Sequence, residues 1–147
     1  MKGLGPLHCF LGLEVWQRPD EIFLSQRKYT VYILKRFKMM DCKSMPTPMV
    51  ENLKLLSDTS SETMDATLYR QMIGLLMYPT SKRPNICFAV NTLSQYMVEP
   101  RCVHWIVAKH VLRYLKGTID YPLRYVADRE IRLQGYTYSD WVCSVKD

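Results

Sequence analysis

Prolines constrain this chain more than any other feature. Pro46 and Pro48, in Met45-Pro46-Thr47-Pro48, each remove a backbone donor and fix φ, so no regular helix crosses them. The stretch Ser57 to Glu62 that follows is polar and loop-like. Pro79 with Pro84 ends one helical pattern, and Pro100 stops the next and opens another. These breaks divide the chain into residues 1–45, a connection over 46–64, a helical part over 65–120 and a tail over 121–147. A connection of that length is more natural between subdomains than inside a compact one.

Between the breaks, periodicity predicts an α+β chain. Leu7 to Trp16 and Ile22 to Ser25 flank the turn-forming Arg18-Pro19-Asp20-Glu21 and read as an N-terminal β-hairpin. Ser25 is placed to cap a helix over about Gln26 to Lys38, with Tyr29, Ile33 and Phe37 on its apolar face. From Asp65 the pattern is helical again, with Leu68, Met72, Leu75 and Leu76 inward. Ile86 to Met97 follows, turning Ile86, Val90, Leu93 and Met97 inward. Arg101 to Lys116 then puts Trp105, Ala108, Leu112 and Leu115 on one side, and Gly117 is a natural stop. Leu123 to Val126 and Ile131 to Thr137 read as two strands with no evident partner sheet.

Charge is the second constraint. Of 20 Lys and Arg, nine fall in two stretches that hold no acidic residue: Arg27, Lys28, Lys35, Arg36 and Lys38, then Arg101, Lys109, Arg113 and Lys116. Without those nine, the rest of the chain carries 11 basic and 14 acidic residues, so the excess of +6 is concentrated in two helices. Lys28, Lys35 and Lys38 share one helix face, and Lys109, Arg113 and Lys116 recur at i, i+4 and i+7 on another. Such confinement is the footprint of a phosphate-backbone binder, and equally serves as a solvated helix face.

The chemistry of other classes is missing from the sequence. It contains no Asp-Asp pair, H-E-x-x-H, G-x-S-x-G or P-loop, and Gly3-Leu4-Gly5 lacks the third glycine of a dinucleotide site. Cys102, His104 and His110 come nearest to a metal set, but Cys102 and His104 point about 200° apart on a helix. His110 sits beside Lys109 and Arg113 and reads as phosphate-facing or solvated. Five singly placed cysteines, with no C-x-x-C pair, read as reduced thiols of an intracellular chain, its compartment open. No apolar run approaches the roughly 18 to 20 residues of a membrane helix.

The order of blocks resembles the reverse transcriptase region of copia-type retrotransposon Pol polyproteins, especially plant ones. The blocks are Leu4-Gly5-Pro6-Leu7-His8, Phe10-Leu11-Gly12-Leu13-Glu14-Val15, Leu24-Ser25-Gln26-Arg27-Lys28-Tyr29 and Thr47-Pro48-Met49. They continue as Tyr69-Arg70-Gln71-Met72-Ile73-Gly74, Arg83-Pro84-Asn85-Ile86, Ala89-Val90-Asn91-Thr92-Leu93-Ser94-Gln95-Tyr96-Met97 and Leu112-Arg113-Tyr114-Leu115-Lys116-Gly117-Thr118. The resemblance implies the end of a polymerase palm in 1–45, a helical thumb-like bundle in 65–120, and the first strands of an incomplete ribonuclease H-like sheet in 121–147. It implies a partner, RNA-DNA hybrid or primer-template, and the remainder of a Pol polyprotein. The Phe10 to Ser25 hairpin would hold the primer end, and Lys28, Lys35, Arg36, Lys38, Lys109, Arg113 and Lys116 would contact phosphates. The family's polymerase Asp-Asp pair, which holds Mg²⁺, precedes the Gly-Pro-Leu-His block and is expected before Met1.

Two departures from the family pattern suggest an inactive copy. The family's ribonuclease H opening places an aspartate metal ligand where this chain has Tyr138, in Gly135-Tyr136-Thr137-Tyr138-Ser139-Asp140-Trp141. A neutral phenol does not replace a hard carboxylate at Mg²⁺, and Asp140 lies about 6 to 7 Å further along the strand. Asn85 stands where the family has Asp, still able to cap the helix at Ile86 but without charge. The expectation is a catalytically inactive fragment with no catalytic residue, metal site or cofactor of its own. The alternatives are a retained, sequence-independent hybrid-binding module, or a fragment that completes its site with another chain.

Overall fold

The computed structural model describes residues 8–49, 56 and 60–127. In chain order the elements are β1 (Cys9–Phe10), β2 (Leu13–Arg18), β3 (Glu21–Ser25), α1 (Arg27–Arg36), α2 (Ala66–Thr80), α3 (Cys87–Ser94), α4 (Cys102–Gly117) and β4 (Leu123–Val126). A 3₁₀ turn over Pro84–Ile86 leads into α3. The α+β class read from the sequence holds.

The expected single strand from Leu7 to Trp16 is broken at Leu11-Gly12. Both residues have positive φ, +47° and +77°, the pair of values a tight type I′ hairpin turn needs, and Phe10 pairs with Leu13 across it. The Tyr78 hydroxyl donates to the Leu11 carbonyl, and a Cβ on Gly12 would lie 2.8 Å from that hydroxyl. The next turn, at Pro19-Asp20, is where the sequence puts it, with Arg18 opposite Glu21.

The sheet is antiparallel in the order β1-β2-β3-β4. The strand over 123–126, expected to belong to a separate, incomplete ribonuclease H-like sheet, instead pairs with β3, Leu24 opposite Leu123 and Glu21 opposite Val126. The free edge of β3 has unpaired donors and acceptors, and a returning strand satisfies them. An Arg124 to Glu21 ion pair ties the two strands together. The strand expected over Ile131 to Thr137 lies outside the described residues.

Four helices enclose the core, with Ile33, Leu34, Met72, Leu76, Val90 and Leu112 all fully buried. Ser25 does accept the Arg27 amide, at 3.1 Å, although the helix begins at Arg27. Asp65 caps α2 by accepting from Thr67 and Leu68 at 2.8 and 3.5 Å. The buried stripe of α2 is rotated by one residue from that expected: Tyr69 and Ile73 are inside, whereas Leu68 is exposed and Leu75 half-buried. Tyr69 can enter because its hydroxyl finds the Leu93 carbonyl at 2.8 Å.

Two residues expected to cap or stop a helix work differently. Asn85 caps nothing; its amide donates to the Tyr114 hydroxyl. Gly117 ends α4 without positive φ. Its value is space, because a Cβ there would lie 3.0 Å from the Ser44 Cβ. Among the described residues, no helix is long and apolar enough to cross a membrane.

Candidate nucleic-acid interface

An irregular, proline-containing segment cannot pair its own carbonyls, so they must find donors elsewhere. Here α4 supplies them. The Lys116 ammonium donates to the Cys42 carbonyl, and Arg113 Nε to Lys43 at 2.8 Å. His110 Nε2 donates to Thr47 at 2.9 Å and His104 Nε2 to Leu56 at 2.8 Å. Arg101 Nη1 donates to Ser61 at 2.9 Å, and the Cys102 amide to Glu62 at 2.9 Å. The side chains at 101, 104, 110, 113 and 116 differ by multiples of three, which on a helix makes one shallow ridge. The described residues of this span, 42–49, 56 and 60–62, therefore follow α4 in the antiparallel sense, as a strap.

This arrangement gives the basic side chains of α4 partners within the chain. Arg113 and Lys116 hold the strap, and Lys109 lies 5.3 Å over the Trp105 ring. His110, expected to face phosphate or water, is buried against Thr47. His104 is also buried. Its Nδ1 accepts the Arg101 amide at 2.9 Å, so its proton is on Nε2, and the ring stacks on Tyr96 at 3.9 Å. A carbonyl and a phosphate want the same donors, and for that reason sequence alone did not separate them.

The basic residues of α1 are divided. Lys28 pairs with Glu14, Nζ to Oε1 3.6 Å, and its amide donates to the same carboxylate at 3.2 Å. Arg36 donates to the Tyr32 hydroxyl at 3.0 Å and to Gln71 at 3.3 Å. Lys35 and Lys38 are exposed, and their side chains have no hydrogen bond or ion pair to any described residue. Their position at the C-terminal end of α1 also favours the helix dipole. Lys38 follows the helix with φ +56°. Its amide donates to Lys35 and that of Met39 to Leu34, at 3.1 and 2.7 Å, a Schellman closure with lysine in the place glycine usually takes. Phe37 packs edge-on against Trp105, centroids 6.0 Å apart. The end of α1 is thus joined to the turn of α4 carrying Lys109, and Lys35, Lys38 and Lys109 flank one aromatic pair.

Arg83 lies in neither of the two basic stretches. It is buried, and its guanidinium donates to the Thr118 hydroxyl at 2.7 Å and carbonyl at 2.8 Å. Burial lowers its pKa, partly offset by the Tyr114 hydroxyl beside it. Its only mark in the sequence was the block Arg83-Pro84-Asn85-Ile86.

The family's Mg²⁺ needs converging carboxylates. Among the described residues no three His, Cys, Asp or Glu side chains converge to hold an ion, and Tyr138 and Asp140 lie outside those residues.

The fold thus combines a four-stranded sheet and four helices, with basic groups beside the half-buried Phe37 and Trp105. Comparison with known proteins shows what the chain is similar to. The chain is 42% identical over 142 residues to an uncharacterised mitochondrial protein of Arabidopsis thaliana, covering 96% of this chain and 58% of that one. It is 40% identical over 141 residues to the retrovirus-related Pol polyprotein from transposon RE2 of the same plant, covering 96% of this chain and 10% of the polyprotein. The Pol polyprotein from transposon TNT 1-94 of Nicotiana tabacum matches at 34% over 149 residues, 95% of this chain and 11% of its own length. Over nine-tenths of its length the chain is similar to one continuous stretch of plant copia-type retrotransposon Pol polyproteins. It spans about a tenth of the polyproteins it matches. No family model and no solved structure matches it.

Proposed function

We propose that the chain is the reverse transcriptase thumb and connection segment of a copia-type polyprotein, running into the start of ribonuclease H and without catalysis of its own. The observation that carries this reading is the continuous match to Pol polyproteins over nine-tenths of the chain. Its inactivity is supported by Tyr138, at the position where the family's ribonuclease H pattern has an aspartate metal ligand. Purified chain should give neither Mg²⁺-dependent primer extension nor cleavage of RNA in a hybrid; activity in either assay overturns the reading.

A second reading, retained binding of an RNA-DNA hybrid without sequence preference, is favoured by the unengaged Lys35 and Lys38 beside the Phe37–Trp105 pair and Lys109. Phosphates would replace counterions along these three cations, and the rings would pack on the sugar edge. Fluorescence anisotropy with a labelled hybrid should show log affinity falling with log salt at a slope of about −2 to −3. Lys35→Glu with Lys38→Glu should weaken binding at least tenfold while the circular dichroism spectrum stays helical. Absence of binding at low salt sinks this second reading and leaves the first.

A further inference from the structure

Arg83 is a buried cation, its residue surface 8% exposed, and no carboxylate among the described residues contacts it. A guanidinium has five N–H donors. Thr118 takes two of them, closing the C-terminal end of α4. The other three have no acceptor in the described chain. An unpaired buried charge destabilises a fold unless an opposite charge or further hydrogen bonds compensate it.

The unsatisfied side of Arg83 opens on a pocket of about 260 Å³ between the 82–85 turn, the end of α4 and the lead into β4. At roughly 30 Å³ per water, the pocket is large enough for a tetrahedral oxyanion with water around it. Its described lining includes Lys82, Asn85, Tyr114 and Tyr121 and contains no acidic residue. The Tyr114 hydroxyl accepts from Asn85, which leaves its own proton free to donate. Lys82 is half-buried, and its ammonium has no acceptor among the described residues. Two cations and a hydroxyl donor thus meet in one concavity.

We propose that this pocket is a phosphate site, the oxyanion accepting the free N–H groups of Arg83 together with Lys82 and Tyr114. Arg83 suits the role because its planar fork meets two oxygens at once, while its bonds to Thr118 hold the fork in place. The phosphoryl group comes from a nucleic-acid backbone or from free phosphate; the chemistry of recognition is the same. The site is separate from Lys35, Lys38 and Lys109 and does not depend on hybrid binding there.

The test is a titration of the ¹⁵N-labelled full chain with inorganic phosphate, ionic strength held constant with chloride. Amide shifts confined to residues 82–85 and 114–122, with Lys82→Gln weakening the apparent affinity at least tenfold, support the site. Absence of those shifts, shifts reproduced by chloride alone, or affinity unchanged in both Lys82→Gln and Tyr114→Phe overturn it. Arg83→Gln is kept for confirmation, since loss of the α4 closure can unfold the chain. Adding unlabelled RNA-DNA hybrid to the phosphate-loaded protein assigns the source. Displacement makes the natural occupant a backbone phosphate, and spectra that stay at the phosphate-bound position make it a free one.

Discussion

The imidazole of His110 lies 2.9 Å from the carbonyl of Thr47, a residue 63 positions earlier in the chain. That bond and the one from His104 to Leu56 pin the strap at two points along α4, where both rings are buried. Replacing His104 by Ala would orphan the Leu56 carbonyl and the Arg101 amide together. The expected cost is about 3 kcal/mol, from two buried groups at roughly 1 to 3 kcal/mol each. Urea unfolding measures it. His110→Ala, which orphans one group, should cost less than half as much, and equal losses would contradict the arrangement.

Lys38 occupies a left-handed position that penalises any residue with a Cβ by about 1 to 2 kcal/mol. Lys38→Gly is expected to stabilise the chain by about 1 kcal/mol, part of the gain being offset by glycine's greater freedom when unfolded. If the cation at Lys38 also meets phosphate, the same variant should bind hybrid more weakly. Thermal unfolding and anisotropy on one protein sample would show stability and binding moving in opposite directions.

Gly74 and Gly117 make a matched pair. A Cβ on Gly74, exposed in the middle of α2, meets nothing within 4 Å. Gly74→Ala should therefore raise stability by about 0.5 to 1 kcal/mol through helix propensity alone. The same change at Gly117 pushes against Ser44 and should loosen the strap. Hydrogen exchange at residues 43–47 would rise in Gly117→Ala and stay unchanged in Gly74→Ala.

Alkaline pH should unfold the chain through Tyr69. Burial, the larger cause, and the neighbouring Tyr96 raise the pKa of its phenol, which donates to Leu93. Because the fold favours the protonated form, this contribution is complete below the unfolded value of about 10 and is lost as pH rises beyond it. Tyr29, raised mainly by burial, acts in the same sense. Urea midpoints should fall above about pH 10, and less steeply in Tyr69→Phe, which starts about 1 kcal/mol lower for want of its hydrogen bond. A variant with the parent's slope would show that other groups govern the alkaline limit.

Local signals were legible where one residue decides the matter. Asp65 opens α2 because a carboxylate accepts the free amides at a helix start, whatever surrounds it. Pro19-Asp20 turns the β2–β3 hairpin for a similarly local reason. The break at Leu11-Gly12 was less visible, since an apolar leucine at positive φ is held there by a contact with Tyr78, 67 residues away. The basic stretches were visible as charge, yet Arg113 and Lys116 turned out to serve backbone carbonyls. Arg83, a single cation outside both stretches, had no compositional signal at all.

The sequence by itself determined the α+β class, the number and approximate limits of the helices and the Pol relationship. Each of these rests on periodicity, on proline or on ordered blocks, all properties of neighbouring residues. Only the tertiary structure decided that Leu123 to Val126 pairs with β3, that Thr47 and Leu56 are bonded to α4, and which cations remain free. These depend on which distant carbonyl or strand edge comes within about 3 Å of a donor, a distance that exists only once the chain has closed on itself.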